Sequence, residues 1–312
     1  MITKFIKRIL RRDPMVKHTQ ANNTGAPKRI PKKAHRIDPH LLSKNAVKVT
    51  HTLQEAGFEA FIVGGAVRDL ALGIGPKDFD VATNATPDQV QRLFRKARLI
   101  GRRFQIVHVT FFGKGHPEII EVSTFRALLD NAGDHVAESG RILRDNVWGS
   151  QSEDAVRRDF TINAMYYDPS SETVLDYHGG MADMQKKTLR MIGDPTKRYR
   201  EDPIRMLRAI RFAAKTGFTL DTATRAPITK LSNLLQDVPS ARLFDEILKL
   251  LMSAQEYPDM SNLRISSKSL ADGTSCKRLL SFVMGARVAV SKVKPVLAAK
   301  RIARSIRIGS SR

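Results

Sequence analysis

A short apolar run that ends in two glycines, followed by two closely spaced aspartates, limits most strongly what this chain can fold into. Residues 58–63 predict a buried strand that leads into a tight turn at Gly64 and Gly65. A second strand is predicted beside Asp78 and Asp80, whose side chains point to the same face because side chains alternate along a strand. Two adjacent negative charges are unfavourable unless a cation offsets them, so this pair predicts a divalent-metal site.

A third carboxylate is expected from a neighbouring strand. Residues 105–112 and 118–125 are two β-rich runs separated by a glycine-containing segment, and they predict a hairpin. Glu121 is a polar residue in the second run and can complete a set of oxygen ligands for Mg²⁺, together with substrate phosphates. The glycine pair lets backbone N–H groups approach a phosphate, and Arg68 lies nearby. Together these residues favour phosphoryl chemistry over a simple turn and a solvated strand end.

An arginine-rich cluster lies near the middle of the chain. The cluster is residues 157–164, and its polar members are Arg157, Arg158, Asp159, Thr161 and Asn163. Adjacent arginines can clamp a triphosphate through bidentate hydrogen bonds, so the cluster predicts a phosphate contact. The alternative interpretation is an exposed basic turn.

A further cluster of acids and arginines lies at the start of a predicted helix. Pro203 fits the first turn of that helix, and residues spaced by three share a helix face. The cluster contains Glu201, Asp202, Arg205 and Arg208. Acidic and guanidinium groups together can read the hydrogen-bonding edge of a base, whereas the same spacing alone is typical of a surface ion-pair ladder.

The order of the predicted elements indicates an α+β fold. Strands and helices are mixed in the first part of the chain, and the later part is mostly helical, with a strong helix over 204–216. This order predicts a small mixed sheet with helices, followed by an all-helical domain. The predicted segments are a basic flexible N-terminal extension at 1–40, a head at 41–180, a helical domain at 181–254 and an atypical basic tail at 255–312.

Charge is concentrated at the two ends of the chain. The net charge is +22, and residues 1–40 contain 11 basic and 2 acidic groups, while residues 256–312 contain 12 and 3. This excess indicates a polyanionic partner, either a nucleic acid or an acidic membrane surface reached by an amphipathic helix at 1–10. No apolar stretch is long enough to span a membrane. The single Cys276 excludes an internal disulfide framework and is compatible with a cytoplasmic location.

The clusters, in this order, resemble those of the class II nucleotidyltransferases of the polymerase-β-like superfamily, which contains bacterial poly(A) polymerases and CCA-adding enzymes. The resemblance covers about residues 39–253. Within it, 100–109, 143–150 and 194–212 are similar to segments of the polyadenylating branch. The resemblance implies a polymerase-β-like nucleotidyltransferase head followed by a truncated helical neck and body.

The resemblance also implies a role for each candidate residue. Asp78 and Asp80 match the metal-binding carboxylates, and Glu121 matches the third acidic position. The remaining matches are Gly64, Gly65 and Arg68 in the motif that holds the triphosphate, Arg158, Asp159 and Asn163 in the motif that contacts the nucleotide sugar and phosphates, and Glu201, Asp202, Arg205 and Arg208 in the region that selects the base.

The implied activity is template-independent addition of AMP from ATP to RNA 3′ ends, with Mg²⁺ in a two-metal mechanism and with RNA-decay factors as possible partners. Two alternatives remain open, namely a CCA-adding tRNA nucleotidyltransferase and a non-catalytic RNA-binding protein on the same scaffold. Residues 255–312 do not resemble the family's continuation. They are either a natural basic tail that grips phosphates or the end of a truncated or frame-shifted product.

Overall fold

The computed structural model describes residues 25–101, 105–113, 116–127 and 148–256, the last six of them by their backbone alone. The chain divides into two compact units, Met1–Asp194 and Pro195–Arg312. The predicted amphipathic helix at 1–10 and almost all of the predicted tail lie outside the described residues.

An eight-stranded mixed sheet forms the centre of the first unit. Its strand order is β1-β8-β7-β2-β3-β6-β5-β4, and all neighbours are antiparallel except β3 and β6, which are parallel. The strands are β1 Lys28–Pro31, β2 Ala60–Val63, β3 Asp80–Thr83, β4 Ala97–Ile100, β5 Ile106–Phe111, β6 Glu118–Thr124, β7 Met165–Asp168 and β8 Thr173–Asp176, with a short β9 at Thr188–Leu189. The predicted mixed sheet and the predicted hairpin of β5 and β6 are confirmed.

In the described residues of the first unit, six α-helices accompany the sheet. They are α1 Lys32–His35, α2 Lys44–Glu55, α3 Gly65–Ala71, α4 Pro87–Leu93, α5 Gln151–Arg157 and α6 Gly180–Gln185. Thr86 caps α4 in a capping box with Gln89, as its position before the proline predicts. The sequence predicts one helix over residues 87–97, but α4 ends at Leu93 and the chain then forms edge strand β4.

Helices pack against both faces of the sheet. On one face, Val49 and Leu53 of α2 are fully buried, and the helix contacts β2, β3 and β6. On the opposite face, Ala155 of α5 joins a buried cluster with Val63 and Tyr166. The Asp80 end of β3 lies beside this second cluster, because Asp80 is the register partner of Val63.

The structure places both boundaries of the first unit differently from the predicted ones. Residues 28–31 form a strand that pairs with β8, and Ile30 is buried, so part of the predicted flexible extension belongs to the sheet. At the other end, the amide of Ile192 donates to the carbonyl of Asp159, which ties residues beyond 180 to this unit. A basic, proline-rich strand with one buried apolar residue gives little periodic signal, and this accounts for the difference.

The described part of the second unit, residues 195–256, is mostly helical, as predicted. It contains α7 Pro195–Glu201, α8 Ile204–Thr216, a short strand β10 Thr219–Leu220, α9 Thr222–Leu231 and α10 Ser240–Glu256. Helix α8 has the predicted bounds and ends at Gly217, whose φ of +69° is in the left-handed region that favours glycine. Within the described parts of the chain, no helix combines the length and apolar character that a membrane span requires.

Candidate active site

Two of the predicted carboxylates, Asp80 and Glu121, face each other across β3 and β6, and Asp78 lies two residues before Asp80. Asp80 begins β3, and its register partner across the parallel pair is Glu121 of β6. Burial, reinforced by the negative charges of Glu121 and Asp78, raises the pKa of Asp80 from 3.8 to about 6, although Arg158 acts in the opposite direction. The strand pairing therefore holds like charges close together in a partly buried environment, where a cation would offset their repulsion.

The donor set at this junction fits Mg²⁺ with substrate phosphates rather than a closed protein cage. Among the residues that the structure describes, no three His, Cys, Asp or Glu side chains are grouped so that they could hold a metal ion. The Glu121 side chain is half-exposed, and its Oε1 lies 3.3 Å from Nε2 of His108. Mg²⁺ commonly takes one or two carboxylates and completes its shell with water and phosphate oxygens, which Asp78 and Asp80 can satisfy.

The predicted glycine turn lies between the carboxylate and an arginine. Gly64 has φ +70° and ψ −131°. A Cβ at this position would lie 3.5 Å from Nη1 of Arg158 and 3.8 Å from Oδ2 of Asp80. The absence of a side chain therefore leaves space between a guanidinium and a carboxylate, and the sequence signal of a strand followed by two glycines correctly located this turn.

Gly64→Ala is expected to lower the free energy of unfolding by about 1–3 kcal/mol, because a residue with a Cβ is strained in this backbone conformation. Gly65→Ala is the matched control, since Gly65 starts helix α3 and the nearest atom to its added Cβ is at 3.5 Å. Urea denaturation of both variants measures the difference. Equal effects of the two substitutions would contradict the strain argument.

Arg158 is held by two residues that the sequence analysis did not identify. Its Nη2 donates to Oδ2 of Asp154 at 2.9 Å, and its Nε donates to the Tyr166 hydroxyl at 3.2 Å. The Tyr166 hydroxyl donates to the same Asp154 oxygen at 2.7 Å. Although burial acts to raise it, the pKa of Asp154 is lowered by Arg158 and by the Tyr166 hydrogen bond. The available sequence signal for Asp154 was its position four residues before Arg158 on a helix.

Arg68 joins the first cluster to the arginine-rich cluster from inside the protein. Its residue surface is only 2% exposed, its Nε donates to Oδ1 of Asp69 at 2.8 Å, and its Nη1 donates to Oδ1 of Asn163 at 2.7 Å. Asn163 in turn donates to Oδ1 of Asp159 at 3.2 Å. The structure thus places three predicted phosphate-binding residues in one buried network, and their contact with a triphosphate stays a prediction.

The turn that carries Asn163 is supported from behind by helix α6. A Cβ on Gly180 would lie 2.3 Å from the carbonyl oxygen of Thr161, so the helix approaches the turn more closely than a larger residue allows. The Thr161 hydroxyl donates to Oδ2 of Asp183 at 2.6 Å. This packing fixes the backbone of the turn Thr161–Asn163.

The third predicted cluster lies in the second unit and forms ion pairs there. Oε2 of Glu201 accepts from Nη1 of Arg198 at 3.0 Å and from Nη1 of Arg205 at 3.1 Å. Asp202 accepts from both terminal nitrogens of Arg242. The guanidinium carbon of Arg208 lies 5.2 Å from the centroid of the Phe212 ring. The ion pairs thus join Glu201 to Arg198 and Arg205, and Asp202 to Arg242. Selection of a base by these residues stays a prediction.

Comparison with known proteins agrees with this geometry. The family model of the poly A polymerase head domain matches residues 60–190. A second model, described as the probable RNA and SrmB-binding site of polymerase A, matches residues 217–265. The two matches together cover the glycine turn, the carboxylates, the arginine-rich cluster and part of the second unit.

Individual relatives belong to the same group of proteins. Poly(A) polymerase I of Salmonella typhimurium is 53% identical over 240 residues, which are 75% of this chain and 51% of that protein. The CCA-adding enzyme of Bacillus pumilus is 39% identical over 208 residues, 66% of this chain and 49% of that protein. The solved Bacillus stearothermophilus CCA-adding enzyme in complex with CTP has a TM-score of 0.59 and 33% identity, covering 71% of this chain and 51% of that chain.

This chain spans about half the length of the curated relatives it matches. The chain nevertheless matches two family models named for poly A polymerase, and its identity to poly(A) polymerase I averages 53% over the matched 240 residues. The chain belongs to the family of nucleotidyltransferases that comprises bacterial poly(A) polymerases and CCA-adding enzymes.

Proposed function

We propose that the protein is a template-independent polynucleotide adenylyltransferase that adds AMP from ATP to the 3′ end of RNA. The observation that carries this proposal is the position of Asp80 between the charges of Glu121 and Asp78, with Arg158 and Gly64 immediately beside it. Carboxylates that need a cation, next to a guanidinium and a glycine turn, suit the transfer of a nucleotidyl group.

Asp78 and Asp80 are the residues that would hold Mg²⁺. When bound, the metal neutralises phosphate charge and lowers the pKa of an attacking hydroxyl. Arg158, fixed by Asp154, is placed to bind a phosphate oxygen beside the glycine turn and to keep the triphosphate oriented. Such a transfer requires these side chains only to position the substrates and to stabilise charge, because the two substrates supply the reacting groups.

Polyadenylation is favoured over CCA addition by the relatives, since identity is 53% to poly(A) polymerase I and 39% to the CCA-adding enzyme. CCA addition remains the second candidate activity, because the fold is similar to that of a CCA-adding enzyme solved in complex with CTP. The matched segment, which is named for RNA and SrmB binding, supports RNA and a protein as partners. We expect this activity in the cytoplasm.

Incubation of the purified chain with Mg²⁺, each nucleoside triphosphate and either a single-stranded RNA or a tRNA lacking its CCA end tests the proposal. Long products with ATP alone are expected. Short products that require CTP and ATP would instead identify a CCA-adding enzyme, and RNA binding without Mg²⁺-dependent incorporation would identify the non-catalytic alternative. Asp80→Ala is expected to keep the fold and lose incorporation, and incorporation by this variant at the wild-type rate would refute the site assignment.

A further inference from the structure

A straight row of ionisable side chains crosses four neighbouring strands of the sheet. Asp80 of β3 is the register partner of Glu121 of β6, Glu121 is the partner of His108 of β5, and His108 is the partner of Arg98 of β4. The row passes from two acids through a histidine to an arginine on edge strand β4. With neighbouring strands about 4.8 Å apart, it extends roughly 14 Å from the carboxylates.

The row lies on the solvent-facing side of the outer strands. Val107 and Val109 flank His108 along β5 and are buried, and Ile120 and Val122 flank Glu121 in the same way. Because side chains alternate along a strand, His108 and Glu121 point to the opposite face, away from these buried residues. The outer face of β4, β5 and β6 is therefore continuous with the face that carries Asp80.

Apolar and aromatic side chains accompany the charges on this face. Ile100 of β4 is 42% exposed and Ile119 of β6 is 44% exposed. Phe112, which follows β5 directly, is 67% exposed, and Nζ of Lys96 lies 4.2 Å from the centroid of its ring. An exposed ring beside a lysine, with an arginine on the same face, is the combination that single-stranded nucleic acids use, because bases stack on rings while phosphates pair with cations.

We infer that the outer face of β4, β5 and β6 binds the 3′-terminal nucleotides of the RNA substrate. Arg98 and Lys96 contact the phosphates, and Phe112 and Ile119 provide surfaces on which bases stack. This inference rests on the proposed function, because the carboxylate end of the row is where the RNA 3′ end must arrive. Two properties of this face fit RNA. Its basic end is complementary in charge to the phosphates, and its acidic end is continuous with the carboxylate site.

A protein partner fits this face less well than RNA does. Two basic side chains and a half-buried histidine separate the exposed apolar residues, whereas the centre of a protein interface is typically depleted in charge. The same arrangement of cations and a ring is favourable for a charged strand with planar bases. RNA is therefore the occupant to which the inference commits.

Binding of a short single-stranded RNA to the full 312-residue chain, measured by fluorescence anisotropy without added nucleotide, tests the inference. Phe112→Ala is expected to weaken binding about tenfold through the loss of one stacking surface. Arg98→Ala is expected to weaken it several-fold and to reduce the salt dependence by about one phosphate contact. Lys48→Ala is the matched control, because Lys48 is exposed on α2, which covers the opposite face of the sheet, and it should bind as the wild type does.

Photo-crosslinking locates the RNA independently of affinity. An RNA with 4-thiouridine near its 3′ end is expected to crosslink to peptides from residues 96–121, and melting temperatures confirm that the variants are folded. Unchanged affinity in both variants, or crosslinks only elsewhere, would overturn the inference and leave the face to a protein partner. If the wild type still incorporates AMP in that case, only the inference about this face is refuted and the proposed function stands. If the wild type incorporates no nucleotide with Mg²⁺ present, the proposed function itself is refuted.

Discussion

Asp80→Asn is expected to stabilise the folded protein at neutral pH while lowering AMP incorporation by at least about 100-fold. The pKa of Asp80 is raised to about 6 by burial and by the charges of Glu121 and Asp78, so the ionised carboxylate destabilises the fold. One pKa unit corresponds to about 1.4 kcal/mol, and with allowance for solvent screening the gain is about 1–3 kcal/mol. A neutral amide at this position removes the repulsion but also removes a carboxylate that would bind the metal. Loss of a direct metal ligand lowers activity more than loss of a residue that only contacts a ligand.

The stabilisation by Asp80→Asn has a defined pH dependence. A carboxyl group whose folded-state pKa is raised binds its proton more tightly in the folded state, so the wild type loses stability as pH rises from 3.8 through about 6. The difference between variant and wild type should therefore be full above about pH 6 and vanish below about pH 4. Urea denaturation across this range measures it, with the exposed Asp245→Asn as control. A variant less stable than the wild type at neutral pH would refute the electrostatic account.

Urea denaturation of the same three proteins with added Mg²⁺ tests whether Asp80 holds the metal. A ligand that binds only the folded state raises its stability, so Mg²⁺ should stabilise the wild type. Asp80→Asn should lose most of this effect, and Asp245→Asn should keep it. An equal response of all three proteins would show that Asp80 does not hold the metal.

Asp154→Ala is expected to lower the free energy of unfolding by about 3–5 kcal/mol, the largest loss of stability that the site predicts. The substitution removes the buried carboxylate that accepts from both Arg158 and Tyr166, and it leaves the half-buried guanidinium of Arg158 without this counter-ion. Since the pKa of Asp154 is lowered, its contribution is present at neutral pH and is lost as pH falls below about 4.

Tyr166→Phe is the comparison for Asp154→Ala. It removes only the hydroxyl that donates to Asp154, and a loss of about 1–2 kcal/mol is expected. Chemical denaturation at neutral pH and at acidic pH distinguishes the two variants. Similar losses for both, or a loss from Asp154→Ala that does not shrink in acid, would contradict the role given to the carboxylate.

Local features of the site were predictable, and features that depend on distant partners were not. The turn at Gly64, the strand after Asp78 and the bounds of helix α8 each follow from residues that are adjacent in the chain. Edge strand β4 was missed because it follows a helix without a turn signal. The buried position of Arg68 was missed for a different reason, since its partner Asn163 lies 95 residues away.

The role of Tyr166 also lay beyond the sequence analysis. A tyrosine in an apolar strand is usually a core residue, and Tyr166 is fully buried within the aromatic cluster beside Phe125. Only the structure shows that its hydroxyl reaches Asp154. The order of the three clusters in the sequence indicated the family. The hydrogen-bonding partners of each arginine could be found only from the structure.

The parallel pairing of β3 with β6 determines how freely this site can change in evolution. Asp80 and Glu121 are brought together by strand register, while α4, β4 and β5 lie between them in the chain. The entropy of closing such a segment grows only with the logarithm of its length, by about 0.6 kcal/mol per doubling. Insertions between the two acids can therefore reshape the surface around the carboxylates at little thermodynamic penalty, while the hydrogen-bond ladder of β3 and β6 keeps the acids in register.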